Sequence, residues 1–178
     1  MFFCKFFFKL EVHGKECIPL DFPFIIAANH LSYLDPIIIG VASPVKLWFL
    51  AKEDLFKNKF FGRYLNVIGT IPLVRGRGDI RALRRALSLL KERKPVVIFP
   101  QGQRGDRDAA KPGVGFLYRK TGVPVIAAHI TGTEKALPKG ARMIRYVKVI
   151  IRFSPVEDIS ESDSYEDISY KVLRMIMK

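Results

Sequence analysis

Asn29-His30-Leu31-Ser32-Tyr33-Leu34-Asp35-Pro36 sets a histidine and an aspartate five positions apart, directly after the apolar run Phe24-Ile25-Ile26-Ala27-Ala28. Imidazole moves protons near neutral pH, and a carboxylate can fix its tautomer and orientation. His30 and Asp35 are therefore candidates for a general base and its orienting partner. Asp35 before Pro36 also has the form of a helix N-cap with proline at the first helical position. The two roles are compatible, since a capping carboxylate is well held. His30 follows a strand-like run that ends in small residues, and nothing local demands an imidazole there.

Two further segments carry groups that a base lacks. Gly69-Thr70-Ile71-Pro72-Leu73-Val74 delivers Arg75 at the end of a strand-like run, followed by Gly76-Arg77-Gly78. A guanidinium beside glycines suits a phosphate, because its planar fork of donors matches the oxygens. Phe99-Pro100-Gln101-Gly102-Gln103-Arg104-Gly105 follows the buried-strand pattern Pro95-Val96-Val97-Ile98. Gly102 allows close backbone approach, its N–H can receive an oxyanion, and Arg104 can bind an anion. Each segment taken singly also reads as an ordinary solvated turn. Cys4 and Cys17 have neither metal-ligand spacing nor an activating neighbour, and no cluster suggests a metal. His13 and His129 have no partner at comparable spacing and are assigned core or surface roles.

The elements that would position these groups alternate in type. Strand-like runs fall at Leu10–Val12, Phe24–Ala28, Leu47–Leu50, Ile68–Val74, Val96–Phe99, Val123–Ile130 and Val147–Phe153. Most are continuously apolar, as expected where both faces of a sheet are covered. Helical patterns fall at Pro36–Val41, Lys57–Asn66, Ile80–Arg93, Gly113–Lys120 and Tyr165–Met177. In Ile80–Arg93 the expected buried stripe is Ile80, Leu83, Leu87 and Leu90, with Asp79 as N-cap and Arg81, Arg84, Arg85 and Lys91 outward. The last helix is expected to bury Ile168, Val172 and Ile176, and Ser164 with Asp167 has capping-box spacing. The pattern predicts a single α/β domain with a largely parallel central sheet flanked by helices.

The chain has 178 residues, enough for one domain with a real core, and a formal net charge of +13. Such a charge favours anionic membranes or polyanions. No nucleic-acid motif is present and aromatics are not interleaved with the basic clusters, so nucleic acid is not expected. Two cysteines without a disulfide framework fit a reduced, cytoplasmic setting. No apolar run reaches the roughly 18 residues that a membrane span needs. Residues 1–9 read instead as a short amphipathic interfacial segment ahead of a domain over 10–178. At about 100° per residue, Phe2, Phe3, Phe6 and Phe7 share one arc and Lys5 and Lys9 oppose it. The alternative is an apolar stub packed on the domain. The expected location is the cytoplasmic membrane face, held peripherally. The basic face of Ile80–Arg93 could meet anionic lipid, dock an acidic carrier protein, or simply face water.

In this order and spacing the segments resemble the 1-acylglycerol-3-phosphate acyltransferase family of glycerolipid acyltransferases. Asn29–Asp35 looks like its His-x4-Asp motif. Lys52-Glu53-Asp54-Leu55, Phe61-Gly62 and Gly69–Arg75 look like its second motif. Phe99–Arg104 looks like its third, usually Phe-Pro-Glu-Gly-Thr-Arg, and Val123–Gly132 looks like its fourth block. The resemblance covers about residues 10–155. It implies a glycerol-3-phosphate acyltransferase-like fold and transfer of an acyl group from acyl-coenzyme A or acyl carrier protein to lysophosphatidic acid, giving phosphatidic acid, without a cofactor. It assigns His30 as base, Asp35 as its partner and Arg75 and Arg104 to the acceptor phosphate. Gly102 becomes the oxyanion donor, and Asn29, Lys52, Gln101 and Gln103 fall on the acceptor side. Gln101 stands where the family has glutamate, and Gln103 where it has threonine. These departures leave open a different lyso-lipid acceptor, or a non-enzymatic lipid- or polyanion-binding relative.

Overall fold

The computed structural model describes residues 8–52, 56, 62–63, 65, 69–73, 78–101, 111–138, 140–141 and 143–177. Within them, seven strands form one sheet: β1 (Glu11–His13), β2 (Ile25–Ala28), β3 (Trp48–Lys52), β4 (Thr70–Leu73), β5 (Val96–Ile98), β6 (Val125–Thr131) and β7 (Ile150–Pro155). The helices are α1 (Asp35–Ala42), α2 (Gly78–Lys91), α3 (Gly113–Thr121), the short α4 (Thr133–Ala136) and α5 (Tyr165–Ile176), with a 3-10 turn at Lys15–Cys17. The strand order is β1-β7-β6-β2-β5-β3-β4. All neighbours pair in parallel except β6 and β7, so β7 and β1 run against the other five strands.

The continuous apolar run at β2 marks the centre of the sheet, between β5 and β6, with all four of its residues buried. Successive side chains point to opposite faces. Phe24, Ile26 and Ala28 accordingly pack with Ile38 and Ile39 of α1, while Ile25 and Ala27 pack with Ala86 and Leu89 of α2, Val114 and Leu117 of α3, and Ile168 and Val172 of α5. The helices thus cover both faces. This is why the strands read as unbroken apolar runs rather than alternating ones.

The largely parallel sheet agrees with the expected α/β class, and most strand ends fall within two or three residues of expectation. Ser164 and Asp167 form the expected capping box: Ser164 Oγ accepts from Asp167 N (3.1 Å), and the Asp167 carboxylate accepts from Ser164 N (3.0 Å). The expected stripe of α2 holds at Leu90, which is buried, and at Leu83 and Leu87, which pack partly buried against the core, but not at Ile80. Ile80 is 58% exposed, and the fully covered positions are Ala86, Leu89 and Leu90. Small Ala86 lets the helix sit close to the sheet and to α3, which centres the buried arc there and leaves Ile80 and Arg81 outside. Of the expected Lys57–Asn66 helix, Gly62, Arg63 and Leu65 are helical; its other residues, apart from Phe56 just ahead, lie outside those described. Phe8 belongs to the main core and is 3% exposed, so the domain begins before residue 10. Phe2, Phe3, Phe6 and Phe7 lie outside the described residues. Among the described residues, no helix is long and apolar enough to cross a membrane.

Candidate active site

The loop after β2, the turn after β5 and the turn after β6 meet at the edge where the parallel strands end, because these three strands are neighbours. Ligands of open α/β sheets collect at that edge. Asn29 locks the first loop to β6. Its amide donates to Ile130 O (2.7 Å) and accepts from Ile130 N (2.8 Å), which continues the β2–β6 pairing through a side chain. Asn29 is buried with both amide groups engaged. Its amide therefore holds the loop to β6.

Asp35 is completely buried and receives four donors. Oδ2 accepts from Leu31 N (2.6 Å), Ser32 N (2.7 Å) and His30 Nδ1 (3.0 Å), and Oδ1 accepts from Thr133 Oγ1 (2.6 Å). The carboxylate thus turns back over its own loop. It caps no amide of α1 ahead of it, and the N-cap position falls on Leu34 with no side-chain cap. The N-cap reading of Asp35 is corrected: proline does open the helix, but the loop amides and Thr133 take both carboxylate oxygens.

With Nδ1 donating to an acceptor-only carboxylate, the lone pair of His30 sits on Nε2. The ring stacks on Phe99 with centroids 4.2 Å apart and planes inclined by 26°. The imidazole is 19% exposed while its partner is not exposed at all. One edge of the ring is therefore fixed inside the protein and the other can reach a substrate. Gln101, also buried, places Oε1 3.4 Å from His30 N and so ties the turn after β5 to the dyad loop.

Thr133 and Phe99 were not singled out as site residues from sequence. The available signal was position: Phe99 directly follows β5, and Gly132-Thr133 directly follows β6. Gly132 has φ +94°, and a Cβ on it would lie 2.2 Å from Lys148 O. This glycine turns the chain so that Thr133 meets Asp35. Ser32 is 1% exposed and donates its hydroxyl to Leu137 O (3.1 Å), which removes it from any nucleophilic role. Burial pushes the Cys17 thiol up, with Glu16 adding to the effect. His13 is exposed near Glu11 (3.8 Å), and His129 pairs in register with Arg152. Lys52 ends β3 at the same sheet edge. Arg75, Gly102, Gln103 and Arg104 lie outside the described residues. Among the described residues, no group of three or more His, Cys, Asp or Glu could hold a metal ion.

A buried carboxylate, an oriented imidazole and an open face beside it can abstract a proton from a bound hydroxyl. The chain is similar to known proteins. A sequence model of the family described as acyltransferase matches residues 9–131. The 1-acyl-sn-glycerol-3-phosphate acyltransferase of Bacillus subtilis is 33% identical over 138 residues, covering 75% of this chain and 69% of that protein. A chloroplastic 1-acyl-sn-glycerol-3-phosphate acyltransferase of Brassica napus is 32% identical over 145 residues, covering 78% of this chain and 42% of that protein. The crystal structure of the 1-acyl-sn-glycerophosphate acyltransferase PlsC from Thermotoga maritima superposes with a TM-score of 0.74 at 29% identity. That superposition covers 94% of this chain and 69% of the Thermotoga chain.

Proposed function

The chain belongs to the acyltransferase family, and on that footing we propose that it moves a fatty acyl group from an acyl thioester to the free hydroxyl of lysophosphatidic acid. The observation that carries the reading is the His30–Asp35 pair: Nδ1 is bound at 3.0 Å to a fully buried carboxylate, and Nε2 is left for substrate. Nε2 takes the proton of the acceptor hydroxyl as its oxygen attacks the thioester carbon. The C–O bond forms and a tetrahedral oxyanion develops. The C–S bond then breaks, and the proton on Nε2 passes to the departing thiolate. Asp35 steadies the imidazolium between the two transfers without taking the proton. Attack is direct in this reading, with the buried Ser32 hydroxyl spent on Leu137 O.

Three roles rest on the resemblance: Gly102 N–H as oxyanion donor, and Arg75 and Arg104 as phosphate ligands. The donor is proposed to be acyl-coenzyme A or acyl carrier protein. The basic surface supports a peripheral seat on an anionic membrane at its cytoplasmic face. Incubation with lysophosphatidic acid and an acyl thioester should release free thiol and form phosphatidic acid. His30→Ala should lower that release by about 10²–10⁴-fold while the melting curve stays in place. Thiol release that survives the substitution would remove His30 from the chemistry.

A further inference from the structure

β1 and β7 run against the central strands, so the chain enters both at the edge that carries His30, Gln101 and Thr133. The described residues between α4 and β7 lie along this edge and are tied at both ends. Leu137 O accepts the Ser32 hydroxyl (3.1 Å), Ala136 O accepts from Arg145 N (2.8 Å), and Val149 N donates to Phe8 O (2.9 Å). Between these ties, Met143 is 79% exposed, Ile144 44% and Tyr146 57%. A single exposed apolar side chain is ordinary, but three within four positions make a patch.

Cations surround the patch. Arg145 is exposed within it, Lys135 is exposed on α4, and the Lys9 ammonium lies 5.4 Å from the Tyr146 ring centre. Lys148 pairs with Glu11 (2.8 Å), and the other neighbouring acid, Glu134, accepts from Gly132 N (3.0 Å). Among the described residues of 132–149, Lys135, Arg145 and Lys148 stand against Glu134, so the surplus charge is positive.

We propose that the Met143–Tyr146 segment seats the domain on an anionic lipid bilayer. Met143, Ile144 and Tyr146 enter the headgroup layer, and Lys9, Lys135 and Arg145 meet anionic headgroups. Apolar and basic side chains interleaved in one short segment suit the boundary between headgroups and acyl chains, where each finds its own medium. The chain just before Phe8 carries Phe2, Phe3, Phe6 and Phe7, and Phe8 joins the domain at this same point. The seat rests on the lipid-acceptor reading in one respect: it brings the mouth of the dyad to the layer from which a lyso-lipid must arrive.

The test uses the full chain with Met143, Ile144 and Tyr146 all changed to serine, and separately Arg145→Glu. Sedimentation with phosphatidylcholine vesicles, with and without phosphatidylglycerol, reads binding. Turnover is followed with a long-chain acceptor held in vesicles and with a water-soluble short-chain acceptor. Wild-type protein should bind the anionic vesicles, and the triple variant should bind at least about tenfold more weakly, a loss of about 1.4 kcal/mol. Arg145→Glu should weaken binding to anionic vesicles only. Turnover of the vesicle-borne acceptor should fall with binding, while the short-chain acceptor is used at the wild-type rate. Unchanged vesicle binding by the triple variant would overturn the proposal. So would an equal loss with both acceptors, or self-association of the wild-type chain through this patch without vesicle binding. Absence of turnover with either acceptor would refute the acyl-transfer reading instead, and the vesicle arm would still decide the docking face.

Discussion

Thr133→Val is the sharpest probe of how the base is held. Thr133 is completely buried and donates to Asp35 Oδ1 at 2.6 Å, while the other three donors to Asp35 share Oδ2. Valine keeps the shape and removes the hydroxyl, leaving Oδ1 buried without a partner. A hydrogen bond to a charged acceptor contributes about 1.5–3 kcal/mol, so a loss of about 2 kcal/mol is expected. For a domain of this size that lowers Tm by roughly 4–8 °C. Three donors remain on Oδ2, so the fold should survive. The carboxylate would then be held through Oδ2 alone, and its tilt, with that of the imidazole, would be less sharply fixed. The expected consequence is a roughly tenfold lower kcat with KM little changed, because the loss concerns orientation in the transition state and not substrate binding. Thr133→Ser keeps the hydroxyl and should restore most of the rate. Thermal melts and thiol-release kinetics on the two variants make the comparison. A valine variant with wild-type Tm and kcat would refute the idea that Thr133 positions the dyad. A valine variant that is less stable yet fully active would confine Thr133 to the fold.

Asn29→Asp should cost on the order of 2–4 kcal/mol by chemical denaturation, since a carboxylate oxygen would face Ile130 O where the amide now donates at 2.7 Å. Gly132→Ala should destabilise by on the order of 3 kcal/mol or prevent folding, because its methyl would lie 2.2 Å from Lys148 O at a positive φ; soluble yield and Tm report it. Ser32→Ala should lose about 1 kcal/mol of stability while kcat stays near wild type, and a pre-steady-state burst should be absent from both proteins. Burial, with Arg152 adding, holds the His129 pKa below its ordinary value. The unfolded chain therefore binds a proton there that the fold does not. The contribution is fully present above about pH 6.5 and is lost as pH falls through the lower folded value. His129→Gln should flatten that acid-side decline in a Tm series from pH 7 downward.

Local interactions made much of this protein legible from its residue order. The alternation of apolar runs and helical stripes depends on backbone periods, so the α/β class followed directly. The Ser164–Asp167 box closes within one helical turn, and it formed as written. His30 and Asp35 are five residues apart, and a loop that short can hardly keep them from meeting. What needed the tertiary structure was every partner that arrives from another strand. Parallel strands require crossovers, so neighbours in the sheet are remote in sequence, and the order β6-β2-β5 alone brings Thr133, the dyad loop and Gln101 together. The same order turns Asn29 into a strut against Ile130, and Thr133 and the loop amides draw the Asp35 carboxylate away from the cap position. The exposure of Ile80 and the burial of Phe8 were likewise settled by where the sheet and α3 end. The residues chose the base and the carboxylate; packing across the sheet decided which way the carboxylate faces, and hence which nitrogen of His30 is left for substrate.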